Sequence, residues 1–256
     1  MKVTDQAHIA ALYRYPVKGL SPEPLSATML APGQTVPADR LYAIENGPSG
    51  FDPAKPGYLP KQRFLMLMRN ERLARLRTRF DDATHTLHIA ENGVEAVTAD
   101  LRTQDGRAAV EAFFAGFSAD ELRGPPKVLQ ADGHSFSDVA KKVVSIINLA
   151  SVAAVEDIIG APVDPLRFRA NVYVRGWAPW SEQELMGQTV VIGETRLKVV
   201  KHIVRCAATN VDPRLGVRDM NIPLTLEQHY GNMHCGVYAE VTTGGPIAVG
   251  DAIGTA

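Results

Sequence analysis

A chain of 256 residues with 45% apolar and 21% charged residues and a formal net charge of -1 is long enough to bury a substantial core, as one large domain or two small ones. The near-zero charge argues against a polyanion-binding protein, so no nucleic-acid partner is expected. No apolar run approaches a span of about 20 residues or an export-signal core, so no membrane association is expected and the chain reads as cytoplasmic.

From His8 to Pro16, the residues Ile9, Leu12, Tyr13 and Tyr15 predict a strand that Pro16 ends. The stretch VKGLSPEPLSATMLAPGQTVPADR carries Pro22, Pro24, Pro32 and Pro37, the chemistry of turns and short strands. RLYAIENG reads as a further strand ending in an Asn-Gly turn. In RLARLRTRF, Arg75, Arg77 and Arg79 alternate with Leu76, Thr78 and Phe80; the period of two makes this basic run the solvated face of a strand, and HTLHIAENG is its hairpin return. The first hundred residues therefore predict a barrel or curled sheet. The first helix falls at DGRAAVEAFFAGF, with Val110, Phe113, Phe114 and Phe117 on one face and Asp105 as its cap. RGPPKVLQADGH reads as a linker, with a boundary near Pro125.

VVSIINLASVAAVEDIIGAP predicts a strand that turns between Asn148 and Ser151 into a helix. Ser151 is the expected cap, Val152, Val155, Ile158 and Ile159 form the apolar face, and Gly160 with Pro162 stops it. RFRANVYVRGW and TVVIGETRLKVVKHIVRC read as strands, the second broken by a turn at Gly193 and Glu194. A short helix at LTLEQHYG and a closing hairpin, CGVYAEVTTGGPIAVGDAI, complete the pass.

The most chemically pointed stretch is HIVRCAATNVDP. Without an export signal both cysteines, Cys206 and Cys235, are expected as free thiols. Cys206 ends an apolar strand beside Arg205, whose field favours a thiolate, and precedes a polar turn of Thr209, Asn210 and Asp212 closed by Pro213. A core thiol stays open on local sequence, but the polar turn fits a metal or anion site better. A zinc site using His202, His234 and Cys235 has poor spacing and no C-x-x-C, and a Cys-His hydrolase lacks an orienting partner. Lys18 stands at a strand end and Arg40 follows Asp39 at the opening of another; Arg167, Arg169 and Asn171 alternate and could share one strand face. Such cations converging on a thiol describe a pocket for a phosphorylated, anionic cofactor. Cys235 reads as a packing thiol.

YRYPVKGL, ADRLYAIENG, VVSIINLAS, RFRANVYV, RCAATNVDP and GVYAEV followed by GPIAVGD occur in that order over most of the chain. In this the sequence resembles the MOSC domain family, in the branch that includes the mitochondrial amidoxime reducing component and its bacterial relatives. The resemblance implies a mainly β (α+β) fold in which an N-terminal β-barrel domain, residues 1–125, packs on a β-barrel-like MOSC domain, residues 126–256, with a few short helices. It implies a molybdenum cofactor (molybdopterin) between them, with Cys206 as metal ligand and catalytic residue; a soft thiolate suits that metal. Lys18, Arg40, Asn148, Arg169 and Asn171 match family positions near the pterin or its phosphate, and Arg167 and Thr209 are secondary contacts. The implied activity is reduction of small N-hydroxylated compounds, such as hydroxylamines or amidoximes. Electrons would come from a separate donor protein, ferredoxin-like or a cytochrome or flavoprotein, since no cysteine cluster for an iron-sulfur domain is present. Gly19 and Val204 stand where vertebrate members carry serine, which leaves the metal ligand intact. The alternative is a molybdenum-cofactor-binding or persulfide sulfur-carrier protein without turnover.

Overall fold

The structure, a computed structural model, describes residues 7–256. Its strands are β1 (His8–Arg14), β2 (Glu23–Leu25), β3 (Ala27–Leu30), β4 (Ala43–Asn46), β5 (Leu76–Asp81), β6 (Thr86–Glu91), β7 (Val94–Asp100), β8 (Pro126–Leu129), β9 (Val144–Asn148), β10 (Val172–Arg175), β11 (Thr189–Ile192), β12 (Thr195–Val204), β13 (His234–Thr243), β14 (Gly245–Ala248) and β15 (Gly254–Thr255). Three helices join them: α1 (Gln104–Phe117), α2 (Leu149–Ile159) and α3 (Ile222–Tyr230). The fold is mainly β, as expected, and among the described residues no helix is long and apolar enough to cross a membrane.

Eight strands form one curled sheet in the order β15-β11-β12-β13-β9-β10-β1-β2. Its parallel pair, β9 with β10, needs a crossover, and α2 supplies it. Side chains alternate across this sheet with period two. Ile146, Val172 and Val174 enter one apolar cluster with Ile9, Val199 and Val237, while Ile147 and Tyr173 face α2 and α3 with Val152, Val155, Leu226 and Cys235. A third cluster closes the meander β5-β6-β7 against α1, with Leu76, Phe80, Leu87, Ile89, Val110 and Phe114 fully or nearly buried. The first strands do not stay with this meander: β1 and β2 extend the eight-stranded sheet beside β10, and β3 forms a separate two-stranded sheet with β14.

Several expectations are corrected. Residues 126–129, read as linker, form β8 and pair with β4. The stretch from Arg167 to Asn171 is not a strand: Pro165 starts a 3-10 turn, Pro165–Phe168, and Arg169 caps it in the left-handed region at φ 51°, so alternation there carries no meaning. The last segment is no hairpin, because β14 pairs with β3. The caps also move. Thr103 and not Asp105 caps α1, its side chain accepting from the Gly106 N–H, and Asn148 and not Ser151 caps α2.

Candidate functional site

The end of β12 opens into a cavity of about 260 Å³, lined from the first half of the chain by Lys18, Arg40 and Lys61 and from the second by Asp138, Arg167, Arg169, Lys201, Arg205, Cys206 and Thr209, among others. Cys206 sits where the ladder gives out. The β12–β13 register is irregular between His202 and Val204, and a 3-10 turn, Ala207–Asn210, begins directly after the thiol. Thr209 holds that turn closed, with its N–H and its hydroxyl donating to the Cys206 carbonyl at 3.0 and 2.9 Å. The sulfur is half-buried and free, and the Lys61 ammonium lies 3.1 Å from it.

Three arginines fix the loop behind the thiol, Arg167 from the turn Pro165–Phe168, Arg77 from β5 and Arg218 from within the loop. The Arg167 side chain is 2% exposed and donates to both oxygens of Asp219 at 2.8 Å and to the Asn210 carbonyl at 3.2 Å. Arg218 donates to the carbonyls of Ala207 and Met68 at 3.0 and 2.8 Å, and Arg77 to those of Pro213 and Arg214. A polar turn is thus held by charge-assisted bonds, which are stronger than neutral ones.

On the opposite wall the organising residue is Tyr15, fully buried. The guanidinium carbons of Arg40 and Arg169 lie 4.4 and 4.3 Å from its ring centroid, within cation-π range. Arg40 donates to Asp39 at 2.5 Å and to the Arg169 carbonyl at 3.0 Å. Both arginines are held in the left-handed region, with φ of 53° and 51°. Such backbone in a non-glycine residue costs about 1 kcal/mol or more, and here it falls on two cations facing one cavity. The Arg169 guanidinium makes no hydrogen bond among the described residues, and Nη2 of Arg205 is buried without an acceptor. With Lys18, Arg40, Lys61 and the unpartnered Arg169 guanidinium on its walls, the cavity favours a group rich in acceptors.

Lys18 is buried and donates to the Phe136 carbonyl at 2.8 Å and to Asp138 at 2.5 Å. Burial pulls its ammonium below the ordinary lysine value, with Asp138 opposing. Burial would raise the Asp138 carboxyl, but Lys18, Lys61 and Arg40 outweigh it and hold that group below the usual carboxylate range. Lys61 moves the other way: burial lowers it, and Asp138 and the Cys206 sulfur more than offset that. Gly19, next to Lys18, has φ 85°, and a Cβ there would stand 2.8 Å from the Leu65 carbonyl. A serine at this position has no room.

Of the expected site residues, Lys18, Arg40, Arg167, Arg169, Asn171, Cys206 and Thr209 line the cavity. Asn148 does not. It is fully buried, caps α2 through Oδ1, and donates to the Ala178 carbonyl and to Glu182 at 2.7 and 3.0 Å. Asn171 reaches the wall with its polar atoms engaged, accepting from Ser145 and donating to the Tyr13 carbonyl. Arg167 likewise turns its head groups to Asp219. Sequence reasoning missed Lys61, Asp138 and Tyr15; only Tyr15, inside YRYP, carried a signal, as an aromatic flanked by cations and proline. His202 Nε2 lies 2.9 Å from the Gln183 carbonyl, and among the described residues no three of His, Cys, Asp and Glu gather to hold an ion.

The donor set fits a molybdenum-pterin group in its chemistry: one accessible soft thiol, and basic side chains with unpaired donors for a phosphate. Residues 6–123 match the MOSC N-terminal beta barrel domain and residues 131–254 match the MOSC domain. The mouse mitochondrial amidoxime-reducing component 1 is 31% identical over 130 residues, a stretch covering 45% of this chain and 38% of that protein, so the chain matches well under half of that relative's length. Among solved structures, a YUAD protein from Bacillus subtilis is 13% identical with a TM-score of 0.43 over 97% of this chain and 94% of its own. YiiM from Geobacillus stearothermophilus is 19% identical with a TM-score of 0.35 over 44% of this chain and 53% of its own.

Proposed function

The chain belongs to the MOSC family, and from that premise we propose that it is a molybdenum-cofactor-dependent oxidoreductase that reduces small N-hydroxylated compounds with electrons from a separate donor protein. The observation that carries this reading is a half-buried free thiol at the mouth of a strand, 3.1 Å from an ammonium, in a cavity lined by Arg40 and by Arg169, whose guanidinium has no hydrogen-bond partner among the described residues. In this reading Cys206 ligates the metal through Sγ. Arg169, Arg205 and Arg40 hold the anionic end of the cofactor, and Thr209 and Arg167 keep the ligand loop in place behind the sulfur. Lys18 joins them only on leaving Asp138. When bound, the cofactor supplies the two-electron chemistry, while the protein supplies binding, orientation and field. The name of the mouse relative speaks of amidoxime reduction by that protein, which supports the choice of substrate class here.

The division of the chain near residue 125 belongs to the same proposal. It is supported by a cluster drawn almost wholly from residues 17–128 and by a cavity walled from both sides of that point. The test is to purify the chain from cells able to make molybdenum cofactor and to follow benzamidoxime reduction with an artificial reduced donor. Reduction that depends on bound molybdenum supports the reading. Protein that carries the metal and leaves benzamidoxime untouched, or a persulfide on Cys206 with no pterin, counts against it.

A further inference from the structure

We propose that Lys61 is a specificity-determining residue: its ammonium screens what reaches the sulfur, admitting neutral and anionic N-hydroxylated compounds in preference to those that carry a cationic group. This rests on the reduction proposed above and narrows its substrate class.

Lys61 comes from a 3-10 turn, Lys61–Arg63, that follows the proline- and glycine-rich stretch 47–60. Its one hydrogen bond among the described residues is to the Cys206 sulfur. Three cations of the cavity have a carboxylate at bonding distance, Arg40 with Asp39, Lys18 with Asp138 and Arg167 with Asp219. Among the described residues Lys61, like Arg169, Lys201 and Arg205, has no such ion pair, and of these it is the one whose side chain contacts the sulfur. A ligand approaching the sulfur therefore meets a positive charge held by no carboxylate at bonding distance, a few ångströms away, where Coulomb energies are not yet screened by salt. Asp138 is the nearby carboxylate that tempers this field.

The test uses the full chain from cells that lack the cofactor pathway, so that the sulfur is open, and two methanethiosulfonate reagents of similar size, one bearing a sulfonate and one a trimethylammonium. The ratio of their rates cancels the intrinsic reactivity of the thiol, and Cys235, fully buried, does not compete. Taken relative to a small free thiol, the ratio should favour the anionic reagent. It should fall about tenfold in Lys61→Gln, persist in Lys61→Arg and rise in Asp138→Asn. An unchanged ratio in Lys61→Gln, or shifts of the same sign in Lys61→Gln and Asp138→Asn, overturns the inference. Failure of benzamidoxime reduction in loaded protein would sink the proposed activity and leave this ratio where it is.

Discussion

The two thiols of this chain stand in opposite surroundings. Arg205 directly precedes Cys206, and its Nε donates to the carbonyl of Cys235 at 2.7 Å. Cys235 lies inside β13, fully buried between the sheet and α2 and α3. Burial, with Glu182 nearby, pushes its thiol up to about 12 in spite of Arg205. Cys206 lies where β12 ends, half-buried, with Lys61 against its sulfur. The same residue type is thus an inert filler in one place and an available ligand in the other. What separates them is the termination of a hydrogen-bonded ladder, which lets a side chain leave the core and meet irregular backbone and charge.

The contrast can be broken most sharply at the sulfurs themselves. Cys206→Ser should cost at least about a hundredfold in benzamidoxime reduction by loaded protein, whereas Cys235→Ala should keep activity and lose only about 1 kcal/mol in urea unfolding. Neutral iodoacetamide should label Cys206 in the native protein and Cys235 only in denaturant, read by peptide mass mapping. Next in size is the loop that holds the exposed thiol. Arg167→Met leaves Asp219 unpaired, and because that carboxylate is 38% exposed the loss should be about 2 kcal/mol, below that of a sealed pair; the midpoint of urea unfolding measures it.

The smallest effect is on the buried side and follows from pH. The folded state holds the Cys235 thiol protonated up to about 12, against an ordinary value of 9.0. Above pH 9 the unfolded chain releases this proton and the folded chain keeps it, so stability falls as pH rises through that window, by about 1 kcal/mol near pH 10. Cys235→Ala should flatten this alkaline limb in unfolding curves taken from pH 8 to 10.5.

Periodicity and turn chemistry made much of this legible in the sequence. The alternation of Arg77 and Arg79 with Leu76, Thr78 and Phe80 marked β5, and Gly193 with Glu194 marked the turn before β12. The errors share a cause, in that local chemistry allowed two answers and tertiary partners chose. Pro125 and Pro126 read as a linker, yet Pro126 opens β8 at the edge of a two-stranded pair, a place that tolerates proline. An asparagine at a strand-to-helix turn can face a ligand or cap the helix, and Asn148 caps. Within the site, Cys206 was legible because its polar turn is contiguous with it. Lys61 and Asp138 were not, since each lies in a segment without period, far along the chain from the sulfur they surround.

The role proposed for Cys206 is to retain the metal. Native and Cys206→Ser protein, both purified from cells competent for cofactor synthesis, should be compared for molybdenum by elemental analysis. Equimolar metal in the native chain and almost none in the variant is the expected result; metal retained equally by both, or absent from both while a known molybdenum enzyme from the same cells is loaded, would contradict it.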